Sequence, residues 1–209
     1  MAVFEPRRSE VDDDHVDAVI RPLTVELRDR LRSEVTITSV SQCVEELVCN
    51  SIDAKSTCVS VTFDPIALKI LVEDNGKGMR GVDMSQLGRR HHTSKCHSLA
   101  DLSRAKTLGF RGEAFSSIVN LGQFVTVTSR ARFYVAVHEM EFARGRVTRA
   151  PTKIDASSKF PSGTAVKVLD LFYDFPVRRK AMDVSAEVDK TRRVLEALAL
   201  IHPEIGSWL

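Results

Sequence analysis

The stretch VEELVCNSIDA, residues 44–54, decides the fold of this sequence. From residue 40 onward, apolar or small side chains recur three and four positions apart. This spacing predicts a helix with one buried stripe, formed by Val40, Val44, Leu47, Val48 and Ser51. Glu46, Asn50 and Asp53 fall on another face of that helix. A carboxylate and an amide oxygen on consecutive turns suit a hydrated cation and the water beside it, although ordinary solvated helix faces carry the same residues.

The composition favours one soluble globular domain. The 209 residues are 43% hydrophobic and 28% charged, which allows a sizeable core. The net charge of +2 is too small to indicate a nucleic-acid partner by itself. The four cysteines form no CxxC pair, which is typical of reduced intracellular thiols. Because no long apolar run or signal-peptide core is found, we expect no membrane partner.

Two segments precede the central helix. Residues 1–20 contain few apolar side chains, so we expect a mobile N-terminal arm, followed by a single domain over residues 21–209. Pro22 is expected to open an amphipathic helix whose apolar side is formed by Leu23, Leu27 and Leu31. Ser39 is then a candidate cap for the central helix, with Gln42 three positions later.

A hairpin that ends in a glycine run follows the central helix. Residues 58–63 and 68–73 predict two paired strands. The second strand leads into Asp74-Asn75-Gly76-Lys77-Gly78, where Gly76 and Gly78 allow the backbone to turn sharply and to approach a ligand closely. Asp74 is a candidate hydrogen-bond acceptor held at a strand end, but Asp-Asn-Gly is also an ordinary turn sequence.

Two polar segments in the middle of the chain are candidates for binding phosphate. Thr93, Ser94 and Lys95 offer two hydroxyl groups and an ammonium group. Residues 109–115 lead into a predicted helix whose first N–H groups favour anions, although they match neither a Walker A loop nor a Rossmann fingerprint. A competing zinc site lacks a second half-site at a usual spacing and would use His91, His92, Cys96 and His97.

The rest of the chain predicts further strands and a closing helix. The strands are expected at residues 123–129, 133–142, 146–149 and 163–170, and the helix at 187–201. The last strand begins with Gly163-Thr164. The hydroxyl of Thr164 is a candidate ligand contact, although threonine is also simply a good strand former.

Four signals now stand in one order along the chain, and that order resembles a known ATPase family. They are Glu46-x-x-x-Asn50, Asp74-x-Gly76-x-Gly78, the loop from Gly109 to Ala114, and Gly163-Thr164. The family groups DNA gyrase B, Hsp90, histidine kinases and MutL. Residues 50–54, 93–95, 109–114 and 171–180 look like MutL in particular, and residues 41–46 and 93–98 look most like the eukaryotic MutL-gamma subunit. The resemblance implies an α+β fold, a two-layer sandwich of a mixed, mostly antiparallel sheet with helices on one face.

The resemblance also implies a role for each matching residue. Glu46 resembles the general base that deprotonates the attacking water, and Asn50 resembles the magnesium ligand. Asp74 resembles the acceptor of the exocyclic amine of adenine, with Thr164 helping through water. The other matches resemble residues that contact or enclose the nucleotide: Asp53, Gly76, Gly78, Thr93, Ser94, Lys95, Gly109, Phe110, Arg111, Gly112, Glu113, Ala114 and Phe115.

Function and partners are implied in the same way. We expect ATP and Mg²⁺ as cofactors, and ATP hydrolysis by the N-terminal domain of a DNA mismatch repair protein that closes and dimerises on DNA, with a role in meiotic recombination. The expected partners are a second MutL-like subunit, a MutS-type mismatch recognition complex and DNA, in the nucleus. The family takes a γ-phosphate lysine from a second, S5-like domain. We expect neither that domain nor the C-terminal dimerisation domain in this sequence, so turnover by this chain alone should be weak.

Other readings compete with this one. A nucleotide-gated scaffold would bind ATP with little turnover. A protein kinase or chaperone would share the fold, although the MutL-like residues 171–180 speak against it. DNA contact is a hypothesis for five basic residues that would equally form a solvated face: Arg178, Arg179, Lys180, Arg192 and Arg193.

Overall fold

The computed structural model describes residues 22–90, 92, 113–155 and 162–206. Its helices are α1 (Val25–Thr36), α2 (Val40–Asp53), α3 (Gly81–Met84), α4 (Ala114–Leu121), α5 (Pro176–Ala181) and α6 (Val184–Ile201). Its strands are β1 (Val59–Asp64), β2 (Lys69–Asp74), β3 (Gly122–Arg130), β4 (Val137–Ala143), β5 (Arg146–Ile154) and β6 (Gly163–Leu171). Several predicted features lie outside the described residues: the arm 1–20, Thr93, Ser94, Lys95, Gly109, Phe110, Arg111, Gly112, and three of the four residues of the alternative zinc site, His91, Cys96 and His97.

The six described strands form one sheet in the order β1-β2-β6-β3-β4-β5, and each neighbouring pair is antiparallel. A parallel bridge between Cys58 and Gly206 lies beside β1. Helices α2 and α4 pack against β2 and β3, and α1 and α6 pack beside them. The predicted two-layer α+β sandwich is therefore confirmed, and so is the hairpin formed by β1 and β2.

The core lies between this sheet and the helices, because successive side chains along the strands alternate between buried and less buried positions. Val61, Val72, Val127 and Met140 are buried and belong to one register row that crosses β1, β2, β6, β3 and β4. From the other side, α2 contributes its whole predicted stripe, from Val40 to Ser51, in buried positions. Burial of this stripe fixes which face of α2 remains available for polar side chains.

The N-terminus of α2 is held by polar contacts from two directions. The Ser39 side chain accepts the Gln42 N–H at 3.0 Å, as the sequence predicts for a helix cap. The Gln42 side chain in turn accepts the N–H of Thr38 at 2.9 Å. The buried carboxylate of Glu187 on α6 accepts the N–H of Val40 at 2.9 Å. The start of the central helix is therefore fixed by both its own cap and a distant helix.

Several predicted elements have different bounds in the structure. Strand β5 continues to Ile154, beyond the predicted end at residue 149, and α6 begins at Val184, before the predicted start at residue 187. Helix α1 begins after Thr24, whose hydroxyl accepts the Leu27 N–H at 3.2 Å, so Pro22 precedes the helix instead of opening it. Strand β4 begins at Val137 and not at Phe133, because Phe133 has a left-handed φ of 68° and belongs to a turn. Among the helices that the model describes, none has both the length and the apolar character that a membrane span requires.

Candidate functional site

Asp74 lies where β2 ends and faces the C-terminal half of α2. Its Oδ1 accepts the N–H of Gly76 at 2.8 Å, and its Oδ2 accepts the hydroxyl of Ser51 at 3.0 Å. Burial raises the pKa of Asp74, and hydrogen bonds from Gly76, Ser51, Thr164 and Ser56 offset part of that rise. These bonds fix the orientation of the carboxylate at the end of β2, and acceptance of a hydrogen bond from a ligand stays a prediction.

The polar face of α2 carries three of the predicted site residues. Glu46, Asn50 and Asp53 are half-buried on this helix, at the predicted four- and three-residue spacing. Burial and the nearby negative charge of Glu46 raise the pKa of the Cys43 thiol. The bond from Ser51 to Asp74 joins α2 to the end of β2, and Asn50 is the residue next to Ser51 in the chain. A common site for Glu46, Asn50 and Asp74 stays a prediction. The oxygen atoms of Glu46 and Asn50 are the hard ligands that suit Mg²⁺.

The glycine run after Asp74 is tightly packed against its own chain. A Cβ atom on Gly76 would lie 2.8 Å from the carbonyl oxygen of Ala54. Gly78 has a φ of +61°, and a Cβ there would lie 2.0 Å from the carbonyl oxygen of Arg130. Both glycines are thus required by the packing of this loop against α2 and β3, which holds Asp74 in place. Approach to a ligand at these glycines stays a prediction.

Thr164 joins Asp74 to a third strand. It lies opposite Asp74 in the β2–β6 pair and opposite Ser129 in the β6–β3 pair. Ser129 is fully buried, and its Oγ lies 3.0 Å from the Thr164 hydroxyl oxygen. The same Oγ donates to the carbonyl oxygen of Gly163 at 2.9 Å and accepts the N–H of Met79 at 2.8 Å. Asp74, Thr164 and Ser129 therefore lie side by side at this end of the sheet, on the face that the helices cover.

The described end of the predicted phosphate loop leads directly into α4. Glu113 is half-buried at the N-cap position, and its carbonyl oxygen accepts the N–H of Ser117 at 2.9 Å. Ala114 begins the helix, which packs against α2. The ring of Phe115 packs edge-on against Phe142 with centroids 6.2 Å apart, so its side chain contributes to the core. A nucleotide contact by Phe115 stays a prediction.

Two functional candidates were missed at the sequence level. Ser51 was assigned to the apolar stripe of α2, but its hydroxyl donates to Asp74. Ser129 ends the inward-facing series Val125, Val127, Ser129 on β3. In both cases the signal was a hydroxyl residue at a buried position of an otherwise apolar series, because such a group needs a hydrogen-bond partner.

The five basic residues considered for DNA contact differ in their surroundings. Arg178 lies 3.3 Å from the Glu34 carboxylate and stacks over the ring of Phe172 at 4.1 Å. Arg179 pairs with Asp170 at 2.6 Å. These two guanidinium groups therefore hold the chain after β6 against the rest of the domain. The others are exposed, and for them DNA contact stays a prediction: Lys180, Arg192 and Arg193.

A family model described as histidine kinase-, DNA gyrase B- and HSP90-like ATPase matches residues 37–159, more than half of the chain. The chain is 41% identical over 188 residues to the DNA mismatch repair protein Mlh3 of Homo sapiens. It is 37% identical over 193 residues to the DNA mismatch repair protein MutL of Streptococcus equi subsp. zooepidemicus. These alignments cover 90% and 88% of this chain but only 13% and 28% of the relatives.

Solved structures agree with this grouping. The N-terminal domain of a DNA repair protein superposes with a TM-score of 0.69 at 28% identity, over 86% of this chain and 50% of that one. The MutL ATPase domain of Aquifex aeolicus in complex with ADP superposes with a TM-score of 0.59 at 28% identity, over 80% of this chain and 57% of that one. The chain therefore belongs to the histidine kinase-, DNA gyrase B- and HSP90-like ATPase family, and within it to the MutL-type ATPase domains of mismatch repair proteins.

Proposed function

We propose that this chain binds ATP with Mg²⁺ between α2 and the end of β2 and hydrolyses the γ-phosphate with water. The contact between Ser51 and Asp74 supports the proposal most strongly, because it joins the helix that carries Glu46 and Asn50 to the strand-end acceptor. Membership of the ATPase family supports the same activity. A structurally similar MutL ATPase domain is complexed with ADP.

Each residue has a distinct part in this proposal. Asp74 accepts a hydrogen bond from the exocyclic amine of adenine, and Thr164 assists it. Asn50 supplies an amide oxygen to Mg²⁺, which when bound neutralises charge on the phosphate oxygens. Glu46 takes a proton from the attacking water, because its half-buried carboxylate lies one turn from Asn50. The N–H groups at the start of α4 interact favourably with the negatively charged phosphate groups, as N–H groups do at other helix N-termini.

The wider role that we propose is that of a mismatch repair subunit. Such a subunit acts on DNA in the nucleus, with a second MutL-like chain and a MutS-type recognition complex, closes and dimerises when ATP binds, and contributes to meiotic recombination. The similarity to human Mlh3 and to bacterial MutL supports this role. Since the chain spans only 13% and 28% of those relatives, further parts of such a protein would be needed for the complete activity.

The variant Glu46→Ala tests the hydrolytic part of the proposal. We expect ATP affinity to persist and the hydrolysis rate to fall by about 10²- to 10⁴-fold, because that is the usual contribution of a positioned general base. Phosphate release and calorimetric binding are measured on the same preparations. Glu45→Ala is the matched control, since Glu45 is the exposed neighbour on the same helix. Unchanged hydrolysis in Glu46→Ala would show that Glu46 is not the base. Binding without measurable turnover in the wild type would favour a nucleotide-gated scaffold.

A further inference from the structure

Ser129 occupies a junction that the proposed catalytic and binding roles do not use. It is fully buried at the end of β3, where β3, β6 and the glycine loop meet. Its hydroxyl contacts three groups: the carbonyl oxygen of Gly163 at 2.9 Å, the hydroxyl of Thr164 at 3.0 Å and the N–H of Met79 at 2.8 Å. A buried serine with this many partners has a defined hydrogen-bond arrangement, and that arrangement has consequences for Thr164.

The direction of each bond follows from counting protons. A serine hydroxyl has one proton to donate and two lone pairs that accept. The carbonyl oxygen of Gly163 only accepts, so in that contact Ser129 is the donor. The N–H of Met79 only donates and occupies one lone pair of Ser129. The remaining lone pair faces Thr164, whose hydroxyl must therefore donate its own proton to Ser129.

In this arrangement the Thr164 hydroxyl can only accept a hydrogen bond from any further partner, because its proton is donated to Ser129. Thr164 lies directly opposite Asp74 in the β2–β6 pair, and the Asp74 carboxylate is also an acceptor when ionised. Two acceptors side by side favour a ligand group that carries two protons, such as an exocyclic amine. They disfavour a carbonyl oxygen, because it carries no proton to donate to either acceptor.

We propose that Ser129 is a positioning residue that fixes Thr164 as a hydrogen-bond acceptor and thereby favours a 6-amino purine over a 6-oxo purine. The inference rests on the proposed binding of a purine nucleotide at Asp74. Ser129 itself is too deeply buried to touch the nucleotide, so it acts through Thr164.

The test compares the affinities of ATP and inosine triphosphate, which carry an amine and a carbonyl oxygen at the same ring position. Calorimetry with Mg²⁺ is performed on the whole chain and on Ser129→Ala, Thr164→Val and the double variant. We expect Ser129→Ala to lower the preference for ATP by roughly five- to tenfold, the equivalent of one hydrogen bond. Thr164→Val should lower it similarly, and the double variant should add little, because both changes remove one interaction.

Thr128→Val is the matched control. Thr128 precedes Ser129 on β3, and its hydroxyl contacts Glu139 on the opposite side of the sheet at 3.2 Å, so its loss should leave the preference unchanged. If Ser129→Ala does not fold, as judged by thermal unfolding, Ser129→Cys replaces it, because a thiol is a weak donor and acceptor. An unchanged preference in a folded Ser129 variant, or additive losses in the double variant, would overturn the inference. Failure of the wild type to bind either nucleotide would instead overturn the proposed function on which it rests.

Discussion

The half-buried carboxylate of Asp74 affects both the stability of the fold and the proposed binding of adenine. It is held at the end of β2 by the N–H of Gly76 and the hydroxyl of Ser51. Burial nevertheless raises its pKa, so its ionised form is less favourable in the folded protein than in the unfolded chain. The same ionised form is the one that accepts a hydrogen bond from an amine. If Asp74 binds a ligand amine as proposed, the charge that lowers the stability of the free protein is the same charge that binds the ligand.

The variant Asp74→Asn should be more stable than the wild type at neutral pH. An asparagine removes the partly buried charge and keeps an oxygen that accepts the Gly76 N–H. Its amide N–H can donate to the Ser51 oxygen, because the Ser51 proton can then be donated to the Leu47 carbonyl oxygen at 3.3 Å. Because the folded pKa of Asp74 lies above its unfolded value, the unfavourable contribution is complete above the folded pKa and disappears as the pH falls toward the unfolded value. The stability difference between the two proteins should shrink in the same direction. Thermal unfolding between pH 7 and pH 4 measures it, and a difference that grows on acidification would contradict the assignment.

At the scale of elements, the site depends on how firmly α2 is held. Its first turn is tied to α6, where the buried Glu187 accepts the Val40 N–H at 2.9 Å and pairs with Lys190 at 3.1 Å. Its last turn is tied to the sheet through Ser51 and Asp74. The helix that carries Glu46 and Asn50 is thus fixed at both ends, which orients those side chains relative to the strand-end acceptor.

The variant Glu187→Ala should reduce the free energy of unfolding by about 1–3 kcal/mol, because it leaves a buried helix N–H without an acceptor. Chemical denaturation measures the change. Glu196→Ala, at an exposed position of the same helix, is the control and should have little effect. Glu187→Gln keeps an acceptor oxygen, so its free energy of unfolding should lie between those of Glu187→Ala and Glu196→Ala. Equal stability of Glu187→Ala and Glu196→Ala would show that this link does not support α2.

The local patterns of these elements could be read from the sequence, but their mutual contacts could not. The stripe from Val40 to Ser51 and the strand ending at Asp74 follow from side-chain periodicity, which is a local property. The bond from Ser51 to Asp74 joins positions 23 residues apart, and the one between Ser129 and Thr164 joins positions 35 apart. Such contacts depend on strand order and register, which periodicity alone does not specify.

The same limit explains why the side of α1 that is predicted to be buried is wrong. The apolar side of α1 was expected to follow Leu23, Leu27 and Leu31, and these side chains are 54%, 44% and 41% exposed. The buried position of this helix is Ser33, whose hydroxyl bonds to the Asp29 carbonyl oxygen at 2.7 Å. An amphipathic pattern predicts that a helix forms, but only its neighbours decide which side is covered.

At the scale of the whole molecule, the residues of the candidate site come from four separate elements, one helix and three strands. Glu46 and Asn50 come from α2, Asp74 from β2, Thr164 from β6 and Ser129 from β3. In sequence these residues span more than half of the chain. The antiparallel order β2-β6-β3 places the last three side by side, so the sheet topology itself builds the site.

Calorimetric titration of the chain with ATP and Mg²⁺ tests the central claim most directly, when the wild type is compared with Asp74→Asn. Asp64→Asn is the matched control, because Asp64 is an exposed aspartate at the end of the neighbouring strand. We expect wild type and Asp64→Asn to bind ATP with equal affinity. We expect Asp74→Asn to bind roughly ten- to a hundredfold more weakly, the equivalent of one hydrogen bond to a charged group. Equal affinity of Asp74→Asn and wild type would contradict the claim that adenine is recognised at the end of β2.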